Sequence, residues 1–442
     1  MERRSLRRLL CAVGLFGLAT AANAVTTAND VQTFTLDNGM KFLVLEDHSI
    51  PNANFYIFWK VGSRNEYPGI TGLSHFFEHM MFNGAKKYGP KQFDRVMEAN
   101  GGANNAYTTN DVTVYTDWFP ASALETIFDL EADRIADLNL DDTMVESERG
   151  VVASERSTGL ENSPWRTLGE EVDGMAFRAH PYSWPVIGHE SDIKGWKKSD
   201  LQAYFDTYYA PNNAVAVVVG AVKVAEVKRL AQQYFEPIPA AEPPRAIHTV
   251  EPEQKGERRV FVEKASIRAP HLLIGYKTPA SNHPDYYALD MLTTILAEGN
   301  SSRLYKALVD SGLATMAGAS YEEHFDPYLM QFYVVAAGEG KTAQIESVLY
   351  AEIDKLIKNG VSTDEVQKAR SQKLMRFYKQ LETINGKANT LGTYEVFFGD
   401  FKKMFEAPKA YEAVTVADIQ RVAAEYLKKS RRTVGILAAK EE

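Results

Sequence analysis

Alternating and helical patterns of apolar residues interleave along most of the chain. The segment VQTFTLDNGMKFLVLEDH holds two alternating runs separated by Asp37-Asn38-Gly39, which is typical of a β-hairpin turn. A buried strand is predicted for NANFYIFWKVG, and the apolar residues of GLSHFFEHMMFNG follow the period of a helix. A single strand is predicted across NAYTTNDVTVYTDWF, followed by helices from about Ala121 and Asp142. Because hairpins and helices alternate, we expect an α+β fold with mixed or antiparallel sheets.

Two pairs of segments repeat the same order of elements. SDLQAYFDTYYAPNNAVAVVVG and ADIQRVAAEYLKKSRRTVGILA each show an amphipathic helix, a polar turn and an apolar strand. VYTDWFPASALETIFDLEADRIADL and FYVVAAGEGKTAQIESVLYAEIDKL each show a strand, a loop and a long helix. Any two strand–helix units share some likeness, but here order and spacing agree as well as pattern. The sequence therefore predicts two duplicated α+β domains, each a sheet flanked by helices.

A proline-rich segment separates the two repeats. EPIPAAEPPRAIHTVEPEQKGE contains five prolines and no helical period, which indicates a stiff, extended linker. We predict an N-terminal domain over residues 25–237, a linker over 238–257 and a C-terminal domain over 258–442.

The first 24 residues differ in composition from the rest. Four arginines lead into an apolar run from Leu9 to about Ala22, and Ala22-Asn23-Ala24 is typical of a cleavage site. We expect a secretory signal peptide over residues 1–24, a retained anchor being the alternative, and hence a periplasmic protein. The only cysteine, Cys11, lies inside this segment. The mature chain is therefore expected to bind any metal through nitrogen and oxygen atoms.

Composition and charge exclude some classes of partner. The 442 residues are 45% apolar and 24% charged, as in globular proteins large enough for two cores. The net charge is -9 without a run of like charges, so nothing favours a nucleic acid as partner. No segment after residue 24 is apolar for 18 residues, and we expect no membrane span in the mature chain.

The helix predicted in GLSHFFEHMMFNG carries His75, Glu78 and His79. The two histidines are four residues apart on one face and can occupy neighbouring corners of a zinc tetrahedron. Glu78 faces the same space and can act as the general base towards a zinc-bound water. The alternative is a helix with structural histidines. Because apolar neighbours predict a buried helix, and buried charge needs a partner, the metal site is the favoured hypothesis.

A third zinc ligand must come from elsewhere in the chain. In TMVESERGVVASERS, Glu148 and Glu155 are two helical turns apart on one face, and Val151 and Val152 between them suggest partial burial. One carboxylate could bind zinc while the other orients a histidine. The spacing alone does not choose between them. Glu146 points elsewhere on the helix and is expected to be solvated.

These motifs resemble those of the inverzincin family of zinc peptidases, also called the pitrilysin or M16 family. His75-x-x-Glu78-His79 is similar to the inverted motif, and ERGVVASE to the family's downstream element. The resemblance implies that Glu155 is the third ligand, that Glu148 supports the site, and that each chain binds one Zn²⁺. It also implies a zinc endopeptidase that cleaves peptides or unfolded segments inside a chamber formed by two halves of a clamshell.

One further expectation follows from the same resemblance, and another follows from the internal repeat of the chain. NNAYTTNDVTVY is similar to the family's active-site edge strand, which implies that Asn105 and Ala106 pair with the substrate backbone. In the second repeat, Ala369 and Arg376 occupy the places that correspond to Glu148 and Glu155, so no second metal site is expected.

One segment departs from the family's pattern. The chain length resembles the two-domain subfamily, which includes mitochondrial processing peptidase and small bacterial homologues and assembles as dimers. In SSRLYKALVDSGLATMA, residues 301–317, Val309 and Thr315 stand near the places of an arginine and a tyrosine that reach the substrate in the family. We predict a heterodimer in which a homologous subunit supplies this Arg/Tyr pair, with a homodimer as the second option.

The competing functional class is a non-catalytic peptide-binding or structural subunit of such an assembly. Subunits of that class typically lose the zinc motif, whereas this chain retains His75, Glu78 and His79.

Overall fold

The computed structural model describes residues 27–439, and the predicted signal peptide, residues 1–24, lies outside them. The elements of the first half are β1 (Val31–Thr35), β2 (Lys41–Glu46), β3 (Asn52–Trp59), α1 (Leu73–Met80), α2 (Gln92–Ala99), β4 (Ala103–Thr108), β5 (Thr113–Pro120), α3 (Leu124–Ala136), α4 (Asp142–Asn162), α5 (Pro164–Ala176), α6 (Glu190–Gly195), α7 (Lys198–Tyr208), β6 (Ala214–Gly220) and α8 (Val224–Tyr234). Those of the second half are β7 (Arg258–Glu263), β8 (His271–Thr278), α9 (Tyr286–Ala297), a π-helical turn (Tyr305–Val309), β9 (Ala314–Ser320), β10 (Tyr328–Ala336), α10 (Thr342–Asn359), α11 (Thr363–Gln380), α12 (Ile384–Phe397), α13 (Lys403–Ala413), α14 (Val416–Tyr426) and β11 (Arg432–Ala438).

The two halves share one sheet topology. The first sheet has the order β1-β2-β6-β3-β5-β4, and the second has the order β7-β11-β8-β10-β9. In each sheet one pair is parallel, β2 with β6 and β7 with β11, while the other pairs are antiparallel. Without β1 the two orders correspond strand for strand. The predicted duplicated α+β fold with mixed sheets is therefore confirmed, whereas the domain boundaries at residues 237 and 258 stay a prediction.

The single strand predicted across NAYTTNDVTVYTDWF is wrong, because this segment forms the hairpin of β4 and β5. Its turn is held by Thr109, whose hydroxyl accepts hydrogen bonds from the N–H groups of Asp111 and Val112, both at 3.1 Å. The backbone N–H of Thr109 also donates to the carbonyl of Val112 at 2.8 Å. Side chains of this type compete with strand pairing and favour turns.

Each half contributes one helix to the outer face of the other half's sheet. In the first sheet, the ring of Phe58 on β3 approaches α12 so closely that a Cβ on Gly392 would overlap with it. In the second sheet, Gly435 of β11 makes the same close approach to Val172 of α5. These two exchanged helices bury apolar surface between the halves and fix them against each other.

The inner face of the first sheet forms the largest apolar core with α1, α3, α7 and α8. Within residues 27–439, no helix combines the length and the apolar character that crossing a membrane requires.

Candidate metal centre

Helix α1 presents its polar side chains to one side because its other face is packed into the core. Phe76, Phe77 and Met80 are fully buried, whereas His75 and His79 are only partly covered. The spacing of the apolar residues therefore turns both imidazoles away from the core, to the same side of the helix.

A buried carboxylate fixes the start of α1. Gly72 precedes the helix with a φ of 91°, and a Cβ there would lie 2.5 Å from the carbonyl oxygen of Ile187. Glu66 accepts hydrogen bonds from the backbone N–H groups of Gly72 at 2.7 Å and Ser74 at 2.8 Å. Burial raises the pKa of Glu66 to about 8 in spite of these bonds. The turn that precedes His75 is thereby held in one position.

Helix α4 brings two glutamates to the histidines of α1, and both Glu148 and Glu155 are partly covered. Val152 on the packed face is fully buried, whereas Val151 is 48% exposed. The burial that the two valines suggested is therefore found for Val152 and not for Val151. The side chain of Glu146 is 68% exposed and points to solvent, as predicted.

His75, His79 and Glu155 converge on one point. The Nε2 atom of each histidine lies 3.5 Å from Oε2 of Glu155. Among residues 27–439 this is the only group of three or more His, Cys, Asp or Glu whose ligand atoms all lie within 4.8 Å of one another. Two imidazole nitrogens and one carboxylate oxygen form the protein ligand set of a known class of catalytic zinc site. The donor set therefore fits a zinc ion.

Glu148 supports the imidazole of His79 from behind. Its Oε1 lies 2.7 Å from Nδ1 of His79, and its Oε2 accepts a hydrogen bond from the amide of Asn83 at 2.7 Å. Because an ionised carboxylate only accepts, this contact places the ring proton on Nδ1 and leaves Nε2 free to bind a metal. Of the two glutamates that the spacing left open, Glu155 faces both histidines and Glu148 orients one of them.

The two histidines differ in their surroundings. Burial lowers the pKa of His75 to about 4, and its Nδ1 has no hydrogen-bond partner in the described part of the chain. Burial also lowers the pKa of His79, but the contacts with Glu148 and Glu155 outweigh it and raise that pKa to about 9. The neighbouring His79 in turn lowers the pKa of Glu155 to about 2. The site therefore stabilises positive charge, which a proton or a metal ion can supply.

Glu78 lies beside the three converging residues. The hydroxyl of Thr108 on β4 donates a hydrogen bond to Oε2 of Glu78 at 2.7 Å. Burial raises the pKa of Glu78 above its ordinary value, although Thr108 acts in the opposite direction. A carboxylate oriented in this way, with a raised pKa, is suited to accept a proton.

A cleft of about 410 Å³ opens beside these groups. Its lining residues all come from the first half, and they are His75, Glu78, Ala106, Tyr107, Thr108, Glu155, Trp165, Arg166, Gly169, Glu170, Asp173, Pro185, Val186 and Ile187. One wall is β4, which pairs with β5 on one side only and is therefore an edge strand. The carbonyl of Asn105 accepts a hydrogen bond from Thr116 on β5 at 3.1 Å, whereas Ala106 lines the cleft.

Three further side chains contact the site without a preceding sequence pattern. Thr108 orients Glu78, Asn83 orients Glu148, and the guanidinium of Arg166 lies 3.5 Å from Oε1 of Glu155. Each acts through a tertiary contact. The local sequence gives no signal for Thr108 and Asn83. For Arg166 it indicates only that the residue lies in the first turn of a helix, just after Ser163-Pro164.

The segment of residues 301–317 stays away from this cleft. Arg303 forms two hydrogen bonds with Glu365, at 2.6 and 2.9 Å, and therefore has a structural partner. Val309 packs against the core of the second half, and Thr315 is exposed on β9. In place of the metal ligands, helix α11 carries Ala369, which is buried, and Arg376, which pairs with Glu298 at 2.7 Å.

Comparison with known proteins assigns these features to a family. Residues 41–190 match the family profile described as Insulinase (Peptidase family M16), and residues 195–373 match the profile described as Peptidase M16 inactive domain. The protein named zinc protease PqqE from Helicobacter pylori is 31% identical over 99% of this chain and 100% of its own length.

Two solved structures have the same architecture. The crystal structure of a protease from Helicobacter pylori has a TM-score of 0.89 at 30% identity, covering 92% of this chain and 99% of that chain. The periplasmic protease PqqL from Escherichia coli has a TM-score of 0.78 at 19% identity, covering 94% of this chain and 48% of that one. The shared fold is a two-domain half of a clamshell. Together with the full-length match to a zinc protease, these comparisons show that the chain belongs to peptidase family M16.

Proposed function

We propose that the chain is a zinc-dependent endopeptidase that hydrolyses peptides or unfolded polypeptide segments. The observation that supports this most directly is the convergence of His75, His79 and Glu155 within 4.8 Å, beside a glutamate that is not needed as a ligand. His75, His79 and Glu155 would hold one Zn²⁺ per chain, and Glu148 would orient His79. Zinc at this place supplies the Lewis acidity that peptide hydrolysis requires.

Glu78 provides the proton transfers of the reaction. As water adds to the carbonyl carbon, the carboxylate of Glu78 accepts one of its protons. When the C–N bond breaks, the same carboxyl returns a proton to the departing amine, so that the glutamate is regenerated. The hydrogen bond from Thr108 to Oε2 holds the carboxylate of Glu78 in position for this exchange.

The edge strand β4 supports a peptide as the substrate. An extended chain can add to the free side of β4 by main-chain hydrogen bonds, with Ala106 next to the cleft. Because the carbonyl of Asn105 already accepts a hydrogen bond from Thr116 on β5, Ala106 is the stronger candidate for pairing with the substrate backbone. Folded proteins lack free extended segments, so the preferred substrates are peptides and unfolded regions.

A homologous subunit completes the assembly in this proposal. The described lining residues of the cleft all come from the first half, and Val309 and Thr315 stand near the places where the family resemblance expects an arginine and a tyrosine. A heterodimer whose other subunit supplies these groups accounts for both facts, and a homodimer is the second option. The proposed location is the periplasm, because residues 1–24 have the pattern of a signal peptide and PqqL, which shares the fold, is a periplasmic protease.

The substitution Glu78→Gln tests the proposed mechanism. We expect hydrolysis of a quenched fluorogenic peptide to fall by about 10³-fold or more, because the general base is lost, while the zinc content stays at one per chain. Glu146→Gln on the exposed face of α4 is the matched control and should change neither quantity.

A Glu78→Gln variant that retains full peptidase activity would contradict this mechanism. A wild-type chain that binds zinc and peptide without hydrolysis, alone and with a co-encoded homologue, would instead support the non-catalytic subunit. The mass and the peptidase activity of the chain alone, and of the chain mixed with the co-encoded homologue, distinguish the homodimer from the heterodimer. Full activity as a homodimer would overturn the heterodimer.

A further inference from the structure

The first half of the chain places an arginine directly beside the candidate metal centre. Arg166 lies in the first turn of α5, where Ser163 caps the helix by accepting a hydrogen bond from the N–H of Arg166 at 3.2 Å. Its Nη1 lies 3.5 Å from Oε1 of Glu155, while the other oxygen of Glu155 faces His75 and His79. The guanidinium therefore stands next to the ligand set without blocking it.

A glycine on α4 makes room for this guanidinium. A Cβ at Gly159 would come within 2.9 Å of Cδ of Arg166 and still closer to Nη1. Glycine within a helix costs about 1 kcal/mol relative to alanine. Apart from proline, glycine has the lowest helix propensity, and in α4 it occupies position 159, one turn after Glu155. This is the position that the side chain of Arg166 packs against.

The donors of Arg166 are available to a ligand in the cleft. A guanidinium has five N–H donors, and within the described residues that of Arg166 donates no hydrogen bond, its one ion pair being the 3.5 Å contact with Glu155. The side chain is 43% exposed and lines the cleft together with His75, Glu78 and Ala106. Among the described lining residues it is the only arginine or lysine.

We infer that Arg166 is a substrate-binding catalytic residue, whose guanidinium donates to the carbonyl oxygen of the peptide bond that is cleaved. This inference rests on the proposed peptidase function. When water adds to the carbonyl carbon, negative charge develops on that oxygen, and a preorganised donor in a partly buried cleft stabilises it. None of the described lining residues comes from the second half, so within residues 27–439 Arg166 is the one arginine or lysine at this cleft.

The inference narrows what the proposed partner subunit contributes. A guanidinium supplied by α5 replaces the arginine that the family resemblance expects near Val309, so the partner is needed for the tyrosine and for enclosing the substrate. Addition of a partner with its arginine removed should then restore as much activity as the intact partner.

Three variants test the role of Arg166. Arg166→Gln removes the cation, Arg166→Lys keeps the charge without the planar fork, and Gly159→Ala keeps the arginine but displaces its guanidinium. For each variant, kcat and KM are measured with a fluorogenic peptide, zinc affinity by chelator competition, and binding of a phosphinic peptide by calorimetry. Thermal melting of the zinc-free proteins verifies that each variant is folded.

For Arg166→Gln we expect kcat/KM and phosphinic-peptide affinity to fall together by about 10²- to 10³-fold, with zinc affinity changed by less than about threefold. For Arg166→Lys and Gly159→Ala, we expect values of kcat/KM and of phosphinic-peptide affinity between those of Arg166→Gln and the wild type. A parallel loss of zinc affinity would overturn the inference, because Arg166 would then only orient Glu155. Unchanged kcat/KM and analogue binding would overturn it as well.

Failure of the peptidase function gives a different result. A wild type that binds zinc and the phosphinic peptide but cleaves nothing would refute the proposed function. Weaker analogue binding by Arg166→Gln in that case would still support Arg166 as a ligand-binding group, and unchanged binding would refute it.

Discussion

The two halves of the chain use one frame of strands and helices for different purposes. In the first half, α1 and α4 bring together two imidazoles and a carboxylate whose ligand atoms all lie within 4.8 Å of one another. In the second half, α9 and α11 face each other through Asp290 and Lys373, which form an ion pair at 2.8 Å. Glu298 then pairs with Lys373 at 3.2 Å and with Arg376 at 2.7 Å.

This difference shows that side chains and not the fold decide where a metal can bind. The charges between α9 and α11 are neutralised by protein groups, and the hydroxyl of Tyr411 adds a hydrogen bond to Asp290 at 2.6 Å. Within residues 27–439, the basic groups that contact Glu155 between α1 and α4 are His75, His79 and Arg166, each at 3.5 Å. Because partly buried charge requires compensation, we expect a metal ion between the first pair of helices and none between the second pair.

Among substitutions that test this difference between the halves, we expect the largest effect on zinc binding for Glu155→Ala. Removal of one of three ligands should lower zinc affinity by more than the factor of about 100 that loss of a supporting group costs. Zinc per chain is measured by elemental analysis after gel filtration. The matched change in the second half, Arg376→Gln, should leave one zinc per chain, and zinc retained by Glu155→Ala would contradict the ligand assignment.

Lys373→Met should destabilise the second half without affecting the metal. It leaves the buried Asp290 without its cation, so the free energy of unfolding in urea should fall by about 3–5 kcal/mol. Zinc content should not change. Arg376→Gln, which breaks a more exposed pair, is expected to cost about 1 kcal/mol or less. An equal loss of unfolding free energy in Lys373→Met and Arg376→Gln would show that the burial of the Lys373 pair does not cause the larger destabilisation.

Glu148→Gln should weaken zinc binding by about 10- to 100-fold, which corresponds to about 1.4–2.7 kcal/mol. The amide can no longer act as an anionic acceptor for Nδ1 of His79. Chelator competition measures the affinity, and Glu146→Gln on the same helix is the control. Unchanged affinity would exclude an orienting role for Glu148.

The smallest effect is expected for Asn83→Ala, which removes only the hydrogen bond that orients Glu148. A single side-chain hydrogen bond contributes about 1 kcal/mol, so zinc affinity should fall by about fivefold. A loss as large as that of Glu148→Gln would mean that Asn83 acts on the site by another route.

Local periodicity predicted the part of the candidate site that lies within one helix. His75, Glu78 and His79 are brought to one side by the helical repeat alone, and the spacing of Glu148 and Glu155 placed both on one face of α4. The choice between these two glutamates depends on how α4 packs against α1. That packing is a tertiary property, which the spacing within one helix does not contain.

Other features required contacts between distant segments. Thr108 reaches Glu78 only because the 109–112 turn folds β4 back onto β5, a hairpin that the sequence pattern did not reveal. The exchange of α5 and α12 between the sheets was equally hidden, since an amphipathic pattern shows that a helix packs but not against which sheet. The likeness of the two sheets was more predictable, because the order of elements repeats along the sequence of both halves.

The central claim is that one metal binds in the first half and none in the second. Anomalous diffraction from crystals of the zinc-loaded protein, recorded on both sides of the zinc absorption edge, tests this claim most directly. The account predicts a single peak per chain, within about 2.0–2.2 Å of Nε2 of His75, Nε2 of His79 and a carboxylate oxygen of Glu155. A peak elsewhere, a second peak between α9 and α11, or no peak would contradict it.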